Sequence, residues 1–257
     1  MIEIRNETAE SAELYISGNI IDDDTGGLID EWYENSTGYQ WPDKIRQQLD
    51  SLRGKDLTIY INSDGGSVPA GVAMANMIAR HDGRTTAIVD GWCCSIATQI
   101  FFAADVRRIP ANAYLMIHKP AVYGAAGNAD DLRREADVLD TIQQGLEATY
   151  RKAAHEDVTD ADIHAMVNEE TWLTGEQAAA FFHVEVLESE RMAACVGSTK
   201  LMRDVPADLR FAVKAGDFKP SAAAPMQQDE EARCANAAQE DKARAAIALA
   251  LAKGSMI

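Results

Sequence analysis

The stretch Lys55-Asp56-Leu57-Thr58-Ile59-Tyr60-Ile61-Asn62 runs directly into Ser63-Asp64-Gly65-Gly66-Ser67-Val68-Pro69-Ala70-Gly71. Its first half reads as a strand. A helix follows from about Val68 to His81, with Val72, Ala75, Met77, Ile78 and Ala79 on its apolar side. A second strand-like run, Thr85-Thr86-Ala87-Ile88-Val89, comes next. Strand, glycine turn, helix and strand in that order mark a βαβ unit with a parallel sheet, so the chain reads as α/β. Adjacent glycines let the backbone approach a ligand and aim an N–H at it, as an oxyanion hole requires. A tight turn without function fits them equally. A phosphate site would call for a P-loop lysine or a G-x-G-x-x-G pattern, and neither is present.

The second strand leads into Asp90-Gly91-Trp92-Cys93-Cys94-Ser95-Ile96-Ala97-Thr98 and then an apolar helical run to Ala104. A serine at a sharp strand-to-helix turn is either an N-cap or a nucleophile. At a helix N-terminus, free N–H groups and the helix dipole favour developing negative charge. Further on, Arg107-Arg108-Ile109-Pro110 and Ala113-Tyr114-Leu115-Met116-Ile117 form a third strand region that ends at His118. Ser95 and His118 thus both lie at strand ends, where open α/β sheets place ligands. Taken with the glycine pair, this arrangement predicts a serine hydrolase acting on peptides.

Composition narrows the classes. The chain has 257 residues and is 47% apolar, enough for one large domain with an appendage. A net charge of −17 argues against nucleic-acid binding, which needs clustered Lys and Arg. No apolar run is long enough to span a membrane, and Met1-Ile2-Glu3-Ile4-Arg5-Asn6-Glu7 does not read as a signal peptide, so a cytoplasmic protein is expected. Of the four cysteines, Cys93 and Cys94 read as small, reduced packing residues. No metal-ligand spacing is present, and neither metal nor cofactor is expected.

Elsewhere, residues 12–21 read as a strand, and Pro42 to Arg53 as a helix. The segment Trp32-Tyr33-Glu34-Asn35-Ser36-Thr37-Gly38-Tyr39-Gln40-Trp41-Pro42 reads as a loop whose rings form a local clasp. Asn128 is placed to cap a helix of about 25 residues with a stripe of Leu132, Ala136, Leu139, Ile142, Leu146 and Tyr150. A shorter helix covers about Asp160 to Asn168, and Thr174 with Gln177 predicts a capping box. His183-Val184-Glu185-Val186-Leu187 is the last expected strand. Residues 1–195 are therefore read as the peptidase core and 196–257 as a flexible, alanine- and charge-rich tail with a C-terminal helix.

Four stretches in order resemble the proteolytic subunit of the Clp protease: Tyr60-Ile61-Asn62-Ser63-Asp64-Gly65-Gly66-Ser67-Val68, Gly91-Trp92-Cys93-Cys94-Ser95-Ile96-Ala97, Met116-Ile117-His118-Lys119-Pro120, and Glu170-Thr171-Trp172-Leu173-Thr174. The similarity extends to the Clp-like head maturation proteases of tailed phages and prophages, and is closer to them. It implies a crotonase-like fold of repeated ββα units with a mostly parallel sheet, a long handle helix and a ring homo-oligomer. It also implies Ser95 as nucleophile, His118 as general base, Glu170 as the acid, and the Gly66 and Ile96 amides as the oxyanion hole.

The pattern departs in places. Glutamate stands where the Clp subunit has aspartate, with Glu169 beside it. Asp64 replaces the usual proline, Cys93 and Cys94 replace small residues, and Trp92 adds bulk near the pocket. Lys119 reads as a solvated charge at a strand end; the alternative is a second base, since related signal peptide peptidases use a Ser-Lys dyad. The expected substrate is a capsid or scaffold protein processed in phage head maturation. The competing readings are a housekeeping Clp subunit working with an ATPase unfoldase, a crotonase-type acyl-CoA enzyme, and an inactive ring subunit.

Overall fold

A computed structural model describes residues 2–32 and 38–188. The expected tail at 196–257 lies outside the described residues, as do the middle of the aromatic loop, Cys195 and Cys234. The chain begins with β1 (Ile2–Arg5), β2 (Ser11–Ile20), α1 (Asp23–Trp32), β3 (Tyr39–Gln40) and α2 (Pro42–Ser51). It continues with β4 (Asp56–Gly66), α3 (Val68–Ala79), β5 (Thr85–Cys94), α4 (Ala97–Phe102), β6 (Val106–Pro110) and β7 (Tyr114–Ile117). Last come α5 (Ala129–Ala153), α6 (Asp160–Asn168), β8 (Thr171–Thr174), α7 (Gly175–Phe181) and β9 (Glu185–Leu187).

The fold is mixed α/β, as expected. The main path of the sheet runs β1-β2-β4-β5-β6-β9, and every pairing on it except β1 with β2 is parallel. Parallel neighbours need a crossover, which α3 and α4 supply after β4 and β5. One face of the sheet carries Leu14, Ile16, Leu57, Ile59, Ile61, Ala87 and Val89, all fully buried. Ile45 and Leu49 of α2, Met74 and Ile78 of α3 and Phe101 of α4 join the same core. Alternation along β2 and β4 puts Tyr15 and Tyr60 on the opposite face, where their rings stack at 4.7 Å.

Two strands are longer than expected, and both differences bear on the site. Gly65 and Gly66 are not a turn after β4 but its last two residues, paired with Asn19 and Ile20. Their φ values of +95° and +143° need glycine, and a Cβ on Gly66 would lie 2.0 Å from the Ile20 carbonyl oxygen. Likewise β5 runs on to Cys94 rather than ending at Val89. Its register shifts after Ile61/Val89, so that Thr86–Ile88 pairs with β6 while Trp92–Cys94 pairs with β7. Each long strand therefore acts as two short strands in line, followed by a helix.

Trp41 is buried against Gly26 with the Lys44 ammonium 4.2 Å from its ring, a local clasp. Asn128 caps α5 through the amides of Asp130 and Asp131, and the Asp131 carboxylate returns the bond. The expected apolar stripe of α5 is buried only toward its C-terminal end, at Leu146 and Tyr150. Leu132 is exposed, so the first half of the helix stands clear of the core. Cys93 and Cys94 are buried free thiols.

Ile59→Ala in β4 should lower the free energy of unfolding by about 2–5 kcal/mol, the range for an emptied buried site. Arg53→Ala should change it by less than about 0.5 kcal/mol, since its ion pair with Asp50 is exposed. Urea titration of both variants checks the contrast.

Candidate active site

Three strand ends build the site. Cys94 pairs with Met116 of β7, and the Ser95 amide donates to the Met116 carbonyl at 2.8 Å. That register sets Ser95 level with Ile117, one residue before His118, whose ring reaches back to it. On its other edge β7 is antiparallel to β8, with Ile117 opposite Thr171. That register sets Glu170, the residue before Thr171, across from His118. Serine, histidine and carboxylate are brought together by two adjacent ladders.

His118 Nε2 lies 2.7 Å from Ser95 Oγ, within hydrogen-bond range. His118 Nδ1 lies 3.8 Å from Glu170 Oε2, close enough for ionic attraction but too far for a hydrogen bond. The other Glu170 oxygen accepts from the Trp172 indole N–H at 3.4 Å. Trp172 packs edge-on to Trp92 at 5.2 Å, and Trp92 lies 6.0 Å from Tyr114, so an aromatic group borders the carboxylate. Glu169 is the C-cap of α6, and its carboxylate does not come within 4.0 Å of His118. Lys119 is exposed and makes no hydrogen bond or ion pair among the described residues.

The Gly66 amide can be oriented from the ladder. In a parallel pair, a residue bonds to the neighbours of its Cα partner and not to the partner itself. Ile20 pairs with Gly66, and its carbonyl takes the Ser67 amide at 2.8 Å. The Gly66 N–H therefore points away from β2, toward the β5 side where Ser95 sits. Gly65 closes the gap: a Cβ there would lie 2.7 Å from the Ser95 Cβ and 3.2 Å from the Ile96 amide nitrogen. The missing side chain keeps the space beside Ser95 and Ile96 narrow and bare.

Burial lowers the pKa of His118, and the Glu170 charge pulls it partly back up. The imidazole is thus neutral near pH 7 and can accept a proton. Burial pushes the Cys94 thiol well up, with Cys93, Asp64 and Glu170 adding to it, so it is no rival nucleophile. Burial also raises Asp64.

Three contacts at the site have no counterpart among the expectations from sequence. The Asn62 side-chain oxygen accepts from the Trp92 amide at 3.1 Å, within the register shift. Trp172 touches Glu170, and Thr98 Oγ1 donates to the Ser95 carbonyl at 2.6 Å. Only the last had a readable signal, a threonine three residues after the carbonyl it bonds.

The fold and this geometry define a mostly parallel α/β protein with a serine, a histidine and a carboxylate aligned at strand ends. The family model for Clp protease matches residues 36–187, and the chain belongs to that family. It is 30% identical over 131 residues to the ATP-dependent Clp protease proteolytic subunit 1 of Protochlamydia amoebophila, covering 50% of this chain and 63% of that one. It is 31% identical over 137 residues to the proteolytic subunit of Bacteroides thetaiotaomicron, covering 52% and 60%. For the proteolytic subunit 1 of Corynebacterium glutamicum the figures are 30% over 145 residues, 53% and 68%. The chain spans about three fifths of the length of the first two. No helix among the described residues is long and apolar enough to cross a membrane.

By NMR titration, His118 should ionise below 6.5, and Glu170→Gln should lower that point further, since the carboxylate is what raises it. The acidic limb of kcat/KM should move in the same direction. A value above 6.5 in the parent protein would mean that the carboxylate outweighs burial.

Proposed function

We propose that this protein is a serine endopeptidase in which Ser95, His118 and Glu170 form the triad. The observation that carries the reading is the 2.7 Å contact between Ser95 Oγ and a histidine whose burial keeps it neutral. In the proposed cycle, His118 Nε2 takes the Ser95 proton as Oγ attacks the scissile carbonyl. The Gly66 and Ile96 amides hold the oxyanion. The C–N bond then breaks, and His118 gives its proton to the leaving amine. Water, deprotonated by His118, hydrolyses the acyl-serine and frees Ser95. Glu170 holds the Nδ1–H tautomer and offsets the imidazolium charge. Its 3.8 Å separation has to shorten as substrate excludes water, a tightening common between free and bound sites.

The substrates are proteins or peptides. The finer reading is processing of capsid or scaffold proteins during phage head maturation by a ring homo-oligomer in the host cytoplasm or prohead. It is supported by the alanine- and charge-rich residues 196–257 that follow the family-matched region. The exposed first half of α5 is suited to contacts between copies. A second reading, a proteolytic subunit working with an ATPase unfoldase, is favoured by the names of the relatives. A crotonase-type acyl-CoA enzyme would have no use for the Ser95–His118 contact.

Mass spectrometry after fluorophosphonate treatment should find one adduct, on Ser95, that is absent from Ser95→Ala. That variant should lose roughly 10⁴-fold or more in turnover while still assembling. Glu170→Gln should cost far more activity than Glu169→Gln. An unlabelled Ser95 in folded, assembled protein would overturn the nucleophile assignment. Cleavage of a denatured protein without any ATPase favours the maturation reading; cleavage of short peptides alone favours the second.

A further inference from the structure

Ser95 has a φ of +55°, in the left-handed region that non-glycine residues seldom occupy. Something has to hold it there. The Met116 carbonyl takes its amide, and Thr98 takes its carbonyl twice, through N–H at 3.0 Å and Oγ1 at 2.6 Å. A carbonyl only accepts, so the single hydroxyl proton of Thr98 is committed to Ser95. The Tyr150 hydroxyl lies 2.7 Å from the same Oγ1. With that proton already placed, Tyr150 must be the donor to Thr98. Both residues are fully buried, and burial pushes the Tyr150 phenol up to about 12, so it keeps its proton at any working pH.

The chain of bonds therefore runs in one direction, from Tyr150 O–H to Thr98 O–H to the Ser95 carbonyl. It passes through α5, the helix whose first half leaves the core, where the Gln99 side chain of α4 also hydrogen-bonds the Tyr150 hydroxyl, and ends on the backbone of the proposed nucleophile. Phe102 and Phe182 flank the Tyr150 ring at 5.8 and 6.4 Å and set where its hydroxyl points. A buried tyrosine ordinarily finds some partner, and a helical threonine often bonds back three residues. What neither habit explains is that the two join and terminate on the one strained serine.

We infer that Tyr150 and Thr98 are positioning residues that hold the Ser95 turn and couple its geometry to the seat of α5. The inference rests on Ser95 being the nucleophile. It acts on how well Oγ is aimed and not on substrate contacts, so it should appear in kcat and leave KM alone.

The test uses the full-length protein with Thr98→Val, Thr98→Ser, Tyr150→Phe and the Val/Phe double variant. Thr98→Val keeps the shape and removes both bonds. Its fluorophosphonate labelling rate and kcat on a peptide should fall about tenfold, with KM within about twofold. Thr98→Ser, which keeps the hydroxyl, should stay within about threefold of the parent protein. Tyr150→Phe should lose about threefold, and the double variant should be no worse than Thr98→Val, because both cut the same chain. Tyr150→Phe preserves core volume and keeps the test open if Thr98→Val does not fold, as checked by circular dichroism. Parent-like labelling in folded Thr98→Val, a loss confined to KM, failure of Thr98→Ser to rescue, or additive losses would each overturn the inference. Absence of labelling in the parent protein would instead overturn the nucleophile assignment beneath it.

Discussion

The hydrogen-bonded ladder that carries the far half of β5 onto β7, and β7 onto β8, brings the three polar residues of the site together. Cys94 opposite Met116 and Ile117 opposite Thr171 are two registers fixed by backbone bonds. From them it follows that Glu170 faces His118 and that Ser95 lies level with Ile117, one residue short of His118, a step the imidazole spans to reach Ser95 Oγ. A shift of one residue in either ladder would turn the next side chain to the opposite face. Buried Cys93, Leu115 and Leu173 guard against that shift, because each would lose its place in the core.

The ladder also explains where the backbone is strained. Among the described residues, three non-glycine residues have a positive φ: Asn6, Ser95 and Glu170. Asn6 lies in the link between β1 and β2, and asparagine tolerates that region well. The other two are the residues at which chain direction must break so that a side chain can face His118. Such positions cost of order 1–3 kcal/mol each and persist only where the surroundings over-determine them. Here the determinants are the Met116 carbonyl and Thr98 at Ser95, and at Glu170 the β8 pairing that begins at Thr171.

Much of this was legible in the sequence, and the limits have physical causes. Short-range chemistry is readable: the capping residues Asn128 and Thr174-Gln177 act over three residues, and the helices they predict occur there. Ser95 and His118 stood out as polar residues just past apolar strands. The Gly65-Gly66 pair reads as a turn because glycines ordinarily end strands. Only the distant partner β2, with the Ile20 carbonyl pressed against Gly66, shows that this strand continues. Half of α5 is exposed for a similar reason: periodicity tells which residues share a face, not whether anything covers it. The Tyr150 hydroxyl was invisible because its target lies 52 residues away.

The choice between adjacent glutamates as the proposed acid turns on a long-range constraint that local sequence does not carry. Glu169 and Glu170 have the same chemistry, and neither composition nor spacing prefers one. The antiparallel register of β7 and β8 does, because it faces Glu170 toward His118 while Glu169 stays as the cap of α6. The longer side chain then creates its own demand. A glutamate has one more rotatable bond than an aspartate, hence more positions in which its charge misses Nδ1. The Trp172 indole, wedged edge-on against Trp92, restricts one carboxylate oxygen and leaves the other turned to the imidazole. Size at Trp92 and Trp172 and length at Glu170 are in this sense one feature: the aromatic wall borders a carboxylate that, as the proposed acid, would otherwise have more freedom beside the imidazole.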